Sequence, residues 1–130
     1  MHITHLAIWV KDLTAMKNFY EKHFGAKAGM LYRNEKKGFS SYFLSFDNGC
    51  RLELMHKESM QPIISNDSTQ ETFGLAHLAI AVGSEEGVNL LTEQLRAAGV
   101  KIIGEPRWTG DGYYESVGLD IENNIIEITI

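Results

Sequence analysis

Cysteine is nearly absent from this 130-residue chain: Cys50 is the only one. No intrachain disulfide can form, which fits a reducing compartment. Proline is almost as scarce. One of the two, Pro62, falls in the polar stretch KESMQPIISNDSTQET at 57–72, which reads as a linker. No apolar run approaches the roughly 20 residues of a membrane helix, so no membrane partner is expected. Positive charge is short as well. Twelve Lys and Arg against 17 Asp and Glu give a formal net charge of −5, and the cations are dispersed. That pattern lacks the basic stripe of a nucleic-acid interface, so no nucleic-acid partner is expected. The opening residues read as an amphipathic strand rather than a leader, and a cytoplasmic protein is expected.

Apolar residues are plentiful, at 44%, and one apolar tetrapeptide is written twice. His-Leu-Ala-Ile occurs at 5–8 and again at 77–80. Each copy sits in a strand-like segment, 2–10 and 75–82, and a helix pattern follows each. Met16, Phe19, Tyr20, His23 and Phe24 mark one helical face, and Gly25 a natural stop. In the second copy Ser84 can cap, Val88, Leu91 and Leu95 line a face, and Gly99 stops. Three further strands are predicted after each helix, over 28–34, 38–46 and 50–56, then 101–106, 112–120 and 124–130. His5 to Gly25 is 20 positions and His77 to Gly99 is 22, while Gly25 to Glu53 and Gly99 to Glu127 are both 28. The chain therefore reads as a duplicated βαβββ module of α+β class. One domain, 1–130, is expected, built of modules 1–56 and 73–130 joined by linker 57–72. Each half alone has about 65 residues, near the limit of independent stability.

Strand side chains alternate between faces. Leu6, Ile8 and Val10 share an apolar face suited to lie under a helix, and His5, Ala7 and Trp9 oppose them. Leu78, Ile80 and Val82 repeat the apolar face, with His77, Ala79 and Ala81 opposite. On the last strands, Leu52 and Leu54 oppose Glu53, and Ile126 and Ile128 oppose Glu127. A single His or Glu on a strand is ordinarily structural or solvated. Four of them, at matching places in two copies and on the face away from the helix, point instead to a shared metal site. Two carboxylates in one partly buried cavity repel, and a divalent cation removes that conflict. Two nitrogens and two oxygens suit Zn, Ni, Co, Mn or Fe, with coordination positions left open. His2, His23 and His56 break the repeat and read as surface or packing residues, and Cys50 as a buried, inert thiol. TGDGYY holds Gly-x-Gly without the strand-to-helix context of a phosphate loop.

The segment HLAIWVKDLTAMKNFYEKHFGAK resembles the opening signature of the vicinal oxygen chelate (glyoxalase/bleomycin resistance/dioxygenase) superfamily, through His5, Val10, Asp12, Leu13, Phe19, Tyr20 and Gly25. The ending GLDIENNIIEITI resembles the family's Asp-Pro-x-Gly-Asn-x-Ile-Glu close, with Glu127 in the ligand position and Ile121 and Asn123 replacing its Pro and Gly. The resemblance implies paired βαβββ modules in a half-open barrel around one divalent metal held by His5, Glu53, His77 and Glu127. A Glu at the second position is most like bacterial glyoxalase I (lactoylglutathione lyase). That implies proton transfer on a chelated hemithioacetal through an enediolate, with Glu127 first and Glu53 second as the base. The family also implies alternatives: an epimerase, a dioxygenase, or a non-catalytic small-molecule binding or resistance protein. Trp9 stands where bacterial glyoxalase I commonly has an Arg for glutathione, which leaves the substrate open between a glutathione adduct and a less charged molecule. Trp9, Phe39 and Tyr113 are candidates to line its pocket. A homodimer is expected.

Overall fold

The computed structural model describes residues 2–47, 49–60 and 74–130. The chain divides into two compact units, Met1–Ile64 and Ser65–Ile130. Each carries one helix and its own mixed sheet, so the α+β, twice-βαβββ expectation is borne out.

In the first unit, strand β1 (His5–Trp9) leads into helix α1 (Leu13–Phe24). Asp12 caps the helix: its backbone is extended and its carboxylate accepts from the Ala15 N–H at 2.8 Å. Gly25 ends it at φ +62°, a left-handed conformation that costs glycine little. Met16, Phe19 and Tyr20 are buried, as the helical spacing predicted. The helix packs on β4 (Phe39–Ser45) and β5 (Arg51–Lys57), where Leu44, Leu52 and Leu54 are buried. The sheet order is β1-β5-β4-β2, with β1 parallel to β5. The single strand expected over 28–34 is instead two, β2 (Lys27–Ala28) and β3 (Tyr32–Asn34). Both pair with β4, but Ala28 faces Leu44 and Tyr32 faces Ser41, so one extra residue bulges between them. A 3₁₀ turn, Glu35–Lys37, then leads into β4.

His23 lies on α1 with its ring 5.1 Å from that of Phe19. Burial holds its pKa below the usual histidine value, and Lys22 adds to the effect. The unfolded chain therefore takes up this proton first. Stability from this group is complete above a pH of about 6.5 and is lost as pH falls through the lower, folded value. Urea unfolding should have a lower midpoint at about pH 5.5 than at about pH 7.5, and His23→Gln should shrink the gap. An unchanged gap in that variant would assign the pH dependence to other groups.

The second unit repeats the plan with β6 (Leu78–Ala81), α2 (Glu85–Ala97), β7 (Ile102–Trp108), β8 (Tyr114–Leu119) and β9 (Ile125–Thr129). Its order is β6-β9-β8-β7, with β6 parallel to β9. Ser84 caps α2 by accepting from the Gly87 N–H at 3.0 Å, and Gly99 follows the helix as expected. The helix face differs from the expected one in one position. Thr92 rather than Leu91 is fully buried. Its hydroxyl donates to the Val88 carbonyl at 2.6 Å and meets the Ser116 hydroxyl at 2.6 Å, which satisfies the polar group where it is buried. The β8–β9 turn is tied by buried Asp120, whose carboxylate accepts from the Glu122 N–H and from both the backbone and side-chain N–H of Asn124. Asn123 takes φ +70° there, a conformation asparagine tolerates better than other non-glycine residues.

Both sheets are open, with β1 and β6 at an edge. Strands expected at 2–10 and 75–82 shorten to five and four residues. Their parallel partners are longer, β5 with seven residues and β9 with five. The expected linker 57–72 starts later, since Lys57 ends β5; residues 61–73 lie outside the described residues.

Candidate functional site

Along the last strand of each unit, buried leucines or isoleucines flank the glutamate, which turns to the face away from the helix. On β1, Leu6 and Ile8 are half-buried while His5, Ala7 and Trp9 are exposed. On β5, Leu52 and Leu54 are buried and Glu53 is half-buried. The parallel register sets Ala7 directly beside Glu53 and His5 one pleat away on the same face. The small Ala7 side chain leaves room for the imidazole and carboxylate to meet: His5 Nε2 lies 3.8 Å from Glu53 Oε2. The other ring nitrogen, Nδ1, is 2.9 Å from the Thr4 hydroxyl, which fixes how the ring turns.

The second unit repeats this geometry. Ala79 lies beside Glu127, and His77, just before β6, has Nε2 3.1 Å from Glu127 Oε2. The two glutamates differ in their surroundings. Burial holds the Glu127 carboxyl above the usual carboxylate range; Glu115 and Asp111 push the same way, against His77 and Arg107. Glu53 instead lies opposite Phe43, whose ring meets His5 edge-on at 5.2 Å and carries the Arg51 guanidinium 4.6 Å above it. One half of the repeat is thus lined by aromatic rings and the other by charge.

Of the candidate pocket residues, Trp9 and Phe39 come together in the first unit, edge-to-face at 6.1 Å, and Tyr32 joins Phe39 at 6.0 Å. Tyr113 is in the second unit, on the exposed turn between β7 and β8, where its N–H donates to the Thr109 hydroxyl at 3.0 Å. Cys50, expected to be buried, is only half-buried just before β5, and its thiol donates to the Arg51 carbonyl at 3.4 Å.

Neither unit by itself gathers three or more His, Cys, Asp or Glu side chains that could hold an ion, among the described residues. Each supplies one pair. The donor chemistry of the pairs fits a borderline divalent cation: one imidazole nitrogen and one carboxylate each, with the His5 ring tied behind by a hydroxyl.

A model of the Glyoxalase/Bleomycin resistance protein/Dioxygenase superfamily matches residues 2–128. The chain belongs to this superfamily. Its glyoxalases commonly use a divalent metal, and members are often enzymes of small molecules. Mitochondrial methylmalonyl-CoA epimerase from Bos taurus is 27% identical over 104 residues, which cover 79% of this chain and 57% of that protein. The superfamily domain from Frankia sp. EAN1pec superposes with a TM-score of 0.82 at 20% identity, covering 100% of this chain and 97% of that one. Glyoxalase I from Zea mays gives a TM-score of 0.76 at 22% identity, covering 98% of this chain and 44% of that one. The two structural likenesses concern the fold. The chain spans little more than half of the epimerase and under half of the maize chain.

Strand alternation also sets Arg51 on the Glu53 face, whereas sequence reasoning did not place Phe43, Arg107 or Glu115 on these faces. The signal for Glu115 was available. The tight β8–β9 turn sets Val117 opposite Glu127 and Glu115 opposite Thr129, so Glu115 shares the Glu127 face.

Proposed function

We propose that the protein is a metal-dependent lyase or isomerase of the glyoxalase I kind. His5, Glu53, His77 and Glu127 would hold one divalent ion, drawn from Zn, Ni, Co, Mn or Fe. The repeated His–Glu pair, at the same register on the same face of both units, carries this reading. When bound, the ion supplies Lewis acidity toward two neighbouring oxygens of a small substrate. Glu127 takes the proton from the carbon beside the carbonyl, and the charge spreads into an enediolate. The same carboxylate returns the proton to the neighbouring carbon. Glu53 is the second candidate. Trp9 and Phe39 offer an aromatic wall to the substrate, with Tyr113 a further lining residue. We also propose one domain, a homodimer and a cytoplasmic location; a glutathione adduct is the first substrate to test.

Purified protein loaded in turn with Ni, Co, Zn and Mn should convert the methylglyoxal–glutathione hemithioacetal to its thioester, followed by absorbance. A loaded protein that makes no thioester with any of these ions would sink the glyoxalase reading. The identity to methylmalonyl-CoA epimerase favours a second reading, in which the same base removes a proton between two carbonyl groups. Deuterium uptake from solvent at that carbon of methylmalonyl-CoA would then be the result.

A further inference from the structure

The second unit holds a cation that the reading above does not use. Arg107 on β7 lies in register with Glu115 on β8, and its Nη2 is 3.4 Å from Glu115 Oε1. Glu115 is largely buried, so it anchors the pair, while the Arg107 side chain is half exposed. The guanidinium does not point straight out. Its Nη1 lies 3.3 Å from where a Cβ on Gly104 would stand, so it folds back along the strand over a residue with no side chain. Gly104 is in register with Val117, and Val117 with Glu127. The fork thus lies on the Glu127 row, two strand spacings away, about 10 Å.

The contact with Glu115 is long and uses one of five N–H donors in a planar fork. The guanidinium and the Val117 side chain fill the place that a side chain at residue 104 would take, so the glycine is what lets the fork lie along the strand. Arg96 on α2, by contrast, is spent between Glu93 and Glu105, at 3.3 and 2.7 Å. Glu115 and Asp111 place negative charge near Glu127. A dianionic phosphate meets that repulsion twice over, and a carboxylate once. The fork also matches a carboxylate with two parallel hydrogen bonds.

We propose that Arg107, steered by Glu115 and laid along the strand over Gly104, binds a substrate carboxylate about 10 Å from Glu127. The substrate is then a small acid whose carboxylate is remote from the reacting carbon. This rests on the proposed metal site only for the other end of the molecule.

The test uses two 2-hydroxy acids with the same chelating head, 2-hydroxyglutarate and 2-hydroxyvalerate. Only the first has a distal carboxylate. With zinc-loaded protein, calorimetry should show 2-hydroxyglutarate binding about tenfold tighter or more. Arg107→Gln should erase that preference while zinc content stays the same. Gly104→Ala should reduce it with Arg107 retained, since the added carbon would also stand 3.0 Å from a Val117 methyl. In chelator-treated protein, 2-hydroxyglutarate should still shift the Arg107 Nε–H resonance, and 2-hydroxyvalerate should not. Equal preference in the wild type and Arg107→Gln, or none in the wild type, overturns the proposal. A resonance shift in a protein that takes up no zinc keeps the carboxylate subsite and removes the metal site. Zinc that binds and is lost in Glu127→Ala, with no effect of Arg107→Gln on either acid, does the reverse.

Discussion

Glu127→Gln will lower turnover by about a hundred- to ten-thousandfold, the usual worth of a positioned base. Glutamine keeps the shape and one acceptor oxygen but takes no proton at neutral pH, and it is a poor ligand for a divalent cation. Metal affinity should therefore fall along with turnover, by about a hundredfold if four ligands share a typical site energy equally. Glu53→Gln should match the loss in affinity but fall less in turnover, because Glu127 remains as base. The same Glu127→Gln substitution should stabilise the metal-free protein. The folded pKa of Glu127 is raised, chiefly by burial. Stability from such a group is complete below the unfolded value and is lost as pH rises through the folded one. Near neutral pH the wild-type carboxylate is on the losing side of that window, and glutamine is not. A variant less active yet higher-melting is the expected signature of a strained functional group. A Glu127→Gln protein that keeps both its metal and its turnover would remove Glu127 from the site.

Leu54→Ala will cost about 2–5 kcal/mol, a large part of the stability of a small domain. Leu54 is fully buried at the centre of the first sheet, between Ile8 on β1 and Tyr42 on β4, in the strand on which α1 packs. Ile128 holds the equivalent place between Ile80 and Ser116, is also fully buried, and should cost a similar amount when cut to alanine. Urea titration followed by circular dichroism measures both. A loss below about 1 kcal/mol at either position would show that its surroundings collapse freely. The proposed single domain requires one shared transition. Two separated transitions in Leu54→Ala would show the units unfolding apart.

Much of this fold was legible because it is written twice. Spacing located both helices and their stops, and alternation on β1, β5, β6 and β9 sorted leucine from histidine and glutamate before any coordinates. The break at residues 29–31 was not legible. Nothing local distinguishes a strand from a bulged one; the extra residue exists only relative to the β4 partner. Thr92 was missed for a related reason. A threonine looks like a surface residue until a second hydroxyl, Ser116, is known to lie across from it. The His–Glu pairs were visible as matched letters; Arg107 has a matching Arg33 at the same offset in the first copy, but the direction of its side chain depends on Gly104 three residues earlier, which the letters do not show. Asn123 shows where the family pattern is a guide to backbone rather than to letters. It holds the left-handed turn that the signature's glycine would hold.

The placement of β1 and β6 at sheet edges has a thermodynamic consequence. Among the described residues β1 pairs only with β5 and β6 only with β9; His5 opens β1 and His77 directly precedes β6, and each glutamate comes from the last strand of its unit, 48 positions later for Glu53 and 50 for Glu127. Bringing those ends together closes nearly the whole unit into a loop, and the entropy of that closure must be met before either pair exists. An ion drawn to both members of a pair recognises only a chain whose first and last strands are already zipped. Occupancy would then act as a latch on the strands most prone to fray, and the cell's supply of that ion would set how long each edge stays closed.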